Sequence, residues 1–255
     1  MSLVQDRNWK PCSARMGTSW TLRQWMPAGA TYRSEAEGQE VAIVLLGGLA
    51  NTTVGETEFL SIGSRATVFS GRATTLFVPP GQKWKLEAVG TVDACVDKVP
   101  SDLAGEPRLI GPEKVKVSTR ATDACERTIH DILDPSFPSK YLLIGETFNQ
   151  PAKWSSYPPE KHDTMNPSEE TRMEEVYLFK LNPPQGFGFQ RVYSPERKID
   201  ETFVIKDNSL VKLPYGYHPV VAAPGYALYY LWIVAGQPRN YTLHDDPDYK
   251  WVKEL

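Results

Sequence analysis

The stretches QEVAIVLLGG (Gln39–Gly48) and EEVYLFKLNP (Glu174–Pro183) align with each other, and this similarity is the starting point for predicting the fold. Glu175 lies 135 positions after Glu40. The segments FVPPGQKWKLEA (Phe77–Ala88) and KLPYGYHPVVAA (Lys212–Ala223) align at the same spacing. A constant offset in two separate motifs indicates a duplicated structural unit. We therefore predict two similar domains in tandem.

The apolar runs predict an all-β protein. Most are short, rich in Val, Tyr, Phe and Thr, and bounded by Gly, Pro, Asn or Asp, as in RATTLFVPPG (Arg72–Gly81). This pattern is typical of a β-sandwich or barrel. The exception is ACERTIHDIL (Ala124–Leu133), where Ile129, Ile132 and Leu133 have helical spacing and predict a helix. The Pro- and Ser-containing segment DPSFPSK (Asp134–Lys140) predicts the boundary, with domains at 1–138 and 139–255.

Composition excludes several classes of protein. The 28 Lys and Arg against 31 Asp and Glu leave a net charge of −3, which argues against a nucleic-acid partner held by charge. Cys12, Cys95 and Cys125 are far apart and form no CxxC pair, which favours a reducing cytoplasm. The sequence has no apolar segment approaching the roughly 20 residues of a membrane helix, so we expect no membrane association.

Polar residues of the second half predict a metal site. His162, Glu175 and His218 come from separate segments, and a rolled-up sheet can aim them inward. Two imidazoles and a carboxylate suit a divalent ion such as Zn, Mn, Fe or Ni. Glu160 lies two positions before His162, so on a strand both face one side. Taken singly, each residue has an ordinary structural explanation, and only the set favours a site.

The first half serves as an internal control. The position that corresponds to His218 is Lys83, whose protonated amine is a poor metal ligand. We therefore expect the site in the second domain and a structural role for the first. His130 and His244 are also predicted to be structural.

Three further residues are candidates for substrate binding or proton transfer. In GFGFQRVYS (Gly186–Ser194), Arg191 can grip a carboxylate if the odd-numbered side chains face inward, although a surface arginine fits the pattern equally well. Tyr177 and Tyr229 lie on apolar strands and are candidate proton relays.

Several long motifs carry a family resemblance. LLIGETFNQPAKWSSYPPEKHD (Leu142–Asp163), EEVYLFKLNPPQGFGFQRVY (Glu174–Tyr193) and HDDPDYKWV (His244–Val252) resemble the 5-deoxy-glucuronate isomerases of bacterial inositol catabolism. The resemblance implies a bicupin, with two double-stranded β-helix barrels, a degenerate first domain and a divalent metal in the second. It also implies a small sugar-acid substrate and a homo-oligomer.

The same resemblance implies ligand roles for His162, Glu175 and His218. Where the family shows a first histidine, this sequence has Glu160. A carboxylate can ligate a hard or borderline cation, so Glu160 is expected as a fourth ligand or, if it is not one, as the proton-transfer base.

Two other functions remain open from the sequence. One is the related 4-deoxy-5-ketouronate ketol-isomerase, which shares the frame and the chemistry. The other is a non-catalytic sugar-acid-binding cupin, which the missing histidine makes plausible.

Overall fold

The computed structural model describes residues 4–5, 13–16, 19–120, 123–166 and 168–254. The described residues form strands and short 3-10 helices. The first eleven strands are β1 (Val4–Gln5), β2 (Ser13–Met16), β3 (Ser19–Met26), β4 (Thr31–Glu35), β5 (Gln39–Gly47), β6 (Ala50–Val54), β7 (Thr57–Ile62), β8 (Thr74–Val78), β9 (Lys83–Ala88), β10 (Val92–Pro100) and β11 (Arg108–Ile110).

The remaining strands are β12 (Lys116–Arg120), β13 (Arg127–Leu133), β14 (Leu142–Asn149), β15 (Trp154–Ser155), β16 (Glu160–Lys161), β17 (Met173–Asn182), β18 (Gly188–Tyr193), β19 (Asp200–Ile205), β20 (Leu210–Leu213), β21 (Val220–Ala222), β22 (Ala227–Gly236) and β23 (His244–Asp245). The 3-10 helices are Val68–Ser70, Pro112–Lys114, Asp123–Cys125 and Lys250–Glu254. No helix of the described residues is long and apolar enough to cross a membrane.

The chain forms two compact units. The described parts of residues 13–116 and 137–142 form the N-terminal unit, and those of residues 4–5, 117–136 and 143–254 form the C-terminal unit. This division differs from the predicted boundary after residue 138, because residues 117–136 join the C-terminal unit and residues 137–142 join the N-terminal one. Strand pairing explains the difference, since β12 and β13 extend the sheet that contains β14.

Each unit is built around a large and a small antiparallel sheet. The N-terminal unit has a sheet in the order β11-β8-β5-β10-β3-β2 and another in the order β4-β9-β6-β7. The C-terminal unit has the order β1-β20-β17-β22-β14-β13-β12, a second sheet β15-β21-β18-β19 and the ribbon β16-β23. Its core joins Tyr177 and Tyr230 of the large sheet to Val192, Ile205 and Val220 of the second. The predicted all-β tandem cupin fold is confirmed.

The strand positions confirm the internal repeat. The pairs β5 and β17, β8 and β20, β9 and β21, and β10 and β22 occupy corresponding positions at an offset of about 135 residues. Their register agrees as well. Ala42 pairs with Asp97 in the N-terminal unit, and Tyr177 pairs with Trp232, each residue 135 positions later, in the C-terminal unit.

The predicted helix at Ala124–Leu133 is wrong. Asp123–Cys125 form a 3-10 turn, and Arg127–Leu133 form β13, paired with β14. The register shifts between Asp131 and Leu133, as in a β-bulge. An extra residue lets both Ile132 and Leu133 be buried next to each other, and this produces the spacing that imitates a helix face.

Candidate metal centre

Three side chains of the C-terminal unit converge on one point. His162 Nε2 lies 2.9 Å from Glu175 Oε2, and His218 Nε2 lies 3.4 Å from the same oxygen. One ligand atom from each residue falls within 4.8 Å of the others. All three side chains are buried, with at most 3% of their surface exposed. The structure therefore brings together the three residues that the sequence selected.

Three different elements deliver these side chains. Glu175 lies on β17, on the same face as Tyr177, which belongs to the core. His162 follows β16, and His218 lies in the connection between β20 and β21. The connection turns at Gly216, where φ is +84° and a Cβ would lie 2.5 Å from the carbonyl oxygen of Tyr193. A side chain there would push the loop that carries His218 away from Glu175.

Backbone carbonyls fix the orientation of both imidazoles. His162 Nδ1 lies 3.1 Å from the carbonyl oxygen of Met173, and His218 Nδ1 lies 2.9 Å from that of Gly216. A carbonyl only accepts, so each Nδ1 carries a hydrogen, and in the neutral form of each ring Nε2 presents a lone pair. His218 Nε2 is buried and makes no hydrogen bond with the described residues. This donor set fits a divalent transition metal, since ligating histidines commonly donate their other N–H to a carbonyl.

A buried ion-pair network holds the loop that leads into the cluster. Lys161 Nζ contacts both carboxylate oxygens of Glu170, at 2.9 and 2.7 Å, and Asp163 Oδ1 at 2.7 Å. Asp163 Oδ2 accepts a hydrogen bond from the backbone N–H of Gly216 at 2.6 Å. The network therefore links the His162 segment to the His218 segment. It also gives Lys161 a structural role.

The two histidines experience opposite pKa shifts. Burial lowers the pKa of His218 to about 4, although the Glu175 carboxylate acts in the other direction. Burial also disfavours the charged form of His162, but the charge and hydrogen bond of Glu175 outweigh it and raise the pKa. His218 is therefore neutral near pH 7, which is the form that binds metals.

Aromatic residues line the cluster, and one of them was not predicted. The Tyr241 hydroxyl donates to Glu175 Oε1 at 3.1 Å, and its ring lies 5.8 Å from that of His162. Tyr241 also stacks on Trp232 at an interplanar angle of 10°. It lies in an irregular loop, 66 positions from Glu175. No periodicity or spacing in the sequence connects the two residues.

Of the two predicted proton relays, Tyr177 faces the interior of the C-terminal unit and Tyr229 points away from it. Tyr177 faces the interior, with its ring 5.9 Å from that of His218 and its hydroxyl 3.3 Å from Ser156 Oγ. Tyr229 donates to Glu146 Oε1 at 2.9 Å, and Glu146 Oε2 lies 3.2 Å from His130 Nδ1. Because Tyr230 faces the core, the adjacent Tyr229 points away from it. The prediction of Tyr229 as a relay is therefore wrong.

The expected inward position of Arg191 is also wrong. On β18 the even-numbered Gln190 and Val192 are buried, whereas Phe189 on the strand and Phe187 just before it are 41% and 43% exposed. Arg191 pairs with Asp200 across the sheet, through Nε–Oδ1 at 2.7 Å and Nη2–Oδ2 at 2.6 Å. Alternation along the strand therefore directs the guanidinium to the outer face.

Glu160 lies outside the three-residue cluster. The described residues with ligand atoms within 4.8 Å of one another are His162, Glu175 and His218, and Glu160 is not among them. Desolvation of this half-buried carboxyl raises its pKa, while Arg127 and Arg120 lower it. Glu175 and His162 are close enough to influence its charge as well. Glu160 thus borders the cluster without joining it in this conformation.

Comparison with known proteins places these observations in a family. The KduI/IolB family model matches residues 8–252. The chain is 42% identical over 227 residues to the 5-deoxy-glucuronate isomerase of Geobacillus kaustophilus (strain HTA426), covering 89% of this chain and 82% of that protein. It is 37% identical to the enzyme of the same name from Bacillus subtilis (strain 168), covering 90% of this chain and 85% of the relative.

Solved structures agree with the fold. The crystal structure of an IolB-like protein from Salmonella typhimurium LT2 superposes with a TM-score of 0.96 at 29% identity, covering 99% of this chain and all of that one. Oxalate decarboxylase from Lactobacillus farciminis superposes with a TM-score of 0.63 at 11% identity, covering 100% of this chain and 91% of that one, and supports the fold alone. The extent of the family match, the relatives and the structural likeness together show that this chain belongs to the KduI/IolB family.

Proposed function

We propose that the chain is an aldose–ketose isomerase that converts 5-deoxy-glucuronate into 5-dehydro-2-deoxy-gluconate. The name shared by relatives at 37–42% identity supports this substrate. The reaction gains and loses no atoms. It moves one proton from a hydroxyl-bearing carbon to the neighbouring carbonyl carbon, so the site must bind both oxygens and transfer a proton.

The proposal rests on three ligand atoms that lie close together, namely His162 Nε2, His218 Nε2 and Glu175 Oε2. We propose that these three atoms hold a divalent cation of the Zn, Mn, Fe or Ni type. When bound, such a cation supplies Lewis acidity for the negative charge that develops on the substrate oxygens. The fixed Nδ1–H groups of both histidines keep the ligand atoms in place before the cation arrives.

Proton transfer is assigned to groups beside the cluster. We propose Glu160 as the base, because its carboxylate borders the cluster without belonging to it. Tyr177 lies on the same face of β17 as Glu175, and its hydroxyl bonds to Ser156 Oγ. This pair can hold a proton next to a substrate oxygen. The two buried free cysteines, Cys95 and Cys125, fit the reducing cytoplasm that we propose as the location.

A turnover assay before and after chelation tests the proposal. The purified protein should isomerise 5-deoxy-glucuronate, lose activity when the metal is removed, and regain it when a single divalent metal is restored. A parallel assay with 4-deoxy-5-ketouronate separates the two ketol-isomerase activities. Tight binding of the sugar acid without turnover would instead support a binding protein, and full activity after verified metal removal would eliminate the metal's role.

A further inference from the structure

A second group of buried polar residues lies inside the C-terminal barrel, apart from the candidate metal centre. We call it the inner polar cluster, and it consists of Arg127, Thr147, Asn149, Ser155 and Tyr230. Strand alternation directs these side chains inward. Ile129, two positions from Arg127, belongs to the core, and so does Leu143, from which Thr147 and Asn149 follow at even spacing on β14.

Arg127 is the charged member of the inner polar cluster. It is 9% exposed, and Nη1 donates to the carbonyl oxygen of Cys125 at 3.0 Å. It forms no salt bridge with any described residue. Glu160 is near enough for the two charges to interact, but no salt bridge joins them. A buried guanidinium without a bonded carboxylate is costly, and an anion brought by a ligand would offset that cost.

Asn149 places a buried amide oxygen next to the arginine. Arg127 and Asn149 are directly opposite each other on β13 and β14, which places their Cβ atoms about 5 Å apart. Asn149 Nδ2 donates to Ser155 Oγ at 2.9 Å, but the buried Oδ1 accepts no hydrogen bond from the described residues. The inner polar cluster therefore offers guanidinium donors and a free amide oxygen side by side.

Ring contacts connect the inner polar cluster to the candidate metal centre. The Tyr230 ring lies 4.4 Å from that of Tyr177, which lies 5.9 Å from the ring of His218. Arg127 also influences the charge of Tyr230. Two ring contacts therefore separate the inner polar cluster from the candidate metal centre.

We propose that Arg127 binds the carboxylate of the sugar acid and that Asn149 Oδ1 accepts a hydrogen bond from one of its hydroxyl groups. The identity of the ligand rests on the proposed isomerase function, whereas the anion subsite rests on the side chains themselves. A planar guanidinium can bind a carboxylate through two parallel N–H bonds, which selects an acid over a neutral sugar of the same length. Arg127 thus takes the role that the sequence assigned to Arg191.

Steady-state kinetics with two substrates tests the subsite. The acid is 5-deoxy-glucuronate, and the neutral partner is 5-deoxy-glucose, which has the same aldehyde and a CH2OH group in place of the carboxylate. We expect Arg127→Met to lower kcat/KM for the acid by about 100-fold, mostly through KM, because a charge-assisted contact is lost. Turnover of the neutral sugar should change less than about threefold. The matched control, Arg191→Met, should leave both substrates unaffected.

Metal content and the thermal midpoint show whether a lower activity comes from loss of the subsite or from misfolding. Because Arg127 forms no ion pair within the part of the chain that the structure describes, the Met variant should retain its metal content and its thermal midpoint. If that variant fails to fold, Arg127→Lys replaces it, and its loss should again be confined to the acid. An equal loss for both substrates, or an unchanged preference for the acid, would overturn the subsite.

A calorimetric measurement separates the subsite from the isomerase proposal. If the wild-type protein turns over neither substrate, the isomerase proposal fails on its own. Binding of D-glucarate, a sugar acid without an aldehyde, is then compared between the wild-type protein and Arg127→Met. Weaker binding to the variant supports the subsite, and equal binding rejects it.

Discussion

Tyr241 donates a hydrogen bond from its hydroxyl to Glu175 Oε1 at 3.1 Å, and the other carboxylate oxygen, Oε2, faces His162 and His218. Two residues that are 66 positions apart are thereby linked at the centre of the site. Stacking on Trp232 holds the Tyr241 ring in place. The hydrogen bond therefore selects which oxygen of Glu175 is presented to the histidines.

Removing this hydroxyl should weaken metal binding. Tyr241→Phe keeps the ring and its stacking but frees the carboxylate to rotate, and loss of such an outer contact typically costs 10- to 100-fold in affinity. We expect a decrease of about tenfold, measured by competition with a chromophoric chelator. Tyr226→Phe, at the edge of the same core, is the control and should bind metal as the wild type does. Equal affinity in both variants would contradict the positioning role.

The histidines should differ in their effect on metal content. His218→Ala removes a ligand atom from the cluster and should reduce the bound metal, measured by elemental analysis, to a small fraction of one ion per chain. His244→Ala changes a histidine of β23 outside the cluster and should retain the full amount. Full stoichiometry in the His218 variant would show that the ligands are other residues.

Glu40 and Glu175 occupy corresponding positions of the repeat but should have different roles, Glu40 in stability and Glu175 in metal binding. Glu40 is fully buried and accepts from Ser101 Oγ and from the backbone N–H groups of Lys140, Tyr141 and Leu142, at 2.8 to 3.1 Å. In Glu40→Gln an amide NH2 group faces donors, so we expect a loss of about 2–4 kcal/mol in the free energy of unfolding and unchanged metal content.

Glu175→Gln should show the reverse pattern. The substitution removes a charged ligand and should greatly reduce metal content, while the free energy of unfolding of the metal-free protein changes less than in Glu40→Gln. Chemical denaturation and elemental analysis of both variants check the pair. Similar changes in both quantities for the two variants would contradict the division of roles.

The pH dependence of stability should report on Asp97. Burial raises the pKa of this carboxyl to about 7, although hydrogen bonds from Thr21 and Cys95 act in the opposite direction. In the unfolded chain it titrates near its usual value of about 3.9. Between these values the folded state holds the extra proton, so the free energy of unfolding falls as the pH rises through the interval and is level above it.

Asp97→Asn should remove this dependence. The variant should gain stability over the wild type progressively from pH 4 to pH 7, by at most about 4 kcal/mol, with no further gain above pH 7. Denaturation of both proteins at pH 4.5, 6 and 8 measures the difference. A difference that is constant across these pH values would show that Asp97 titrates normally.

The substitution Gly145→Ala should lower stability and weaken metal binding, although Gly145 is not a member of the three-residue cluster. A Cβ on Gly145 would lie 2.1 Å from Trp232 Cζ2 and 2.6 Å from the carbonyl oxygen of His130. In Gly145→Ala the indole must move, and Tyr241 stacks on it. We expect a loss of about 1–3 kcal/mol in stability, typical of overpacking, together with weaker metal binding. Calorimetry and chelator competition measure both, and wild-type metal affinity would disprove the connection.

The all-β class, the repeat and the three residues of the candidate metal centre could be predicted from the amino-acid sequence. The repeat was visible because corresponding strands keep their spacing, and His162, Glu175 and His218 stood out because the first half has no equivalent histidines. The family resemblance, confirmed by the comparisons, rested on long motifs in order.

The inward faces of the strands and the contacts between distant residues could not be predicted, because both depend on how the sheets pack. A strand places alternate residues on opposite faces, and GFGFQRVYS fits either choice until the sheet packs, so Arg191 was assigned inward although Gln190 occupies that side. The bulge in β13 imitated a helix for a similar reason, since local spacing does not report pairing. Tyr241 reaches Glu175 through long-range packing, which leaves no periodic trace in the chain. The inward position of Arg127 follows only once Arg127–Leu133 is known to be a strand.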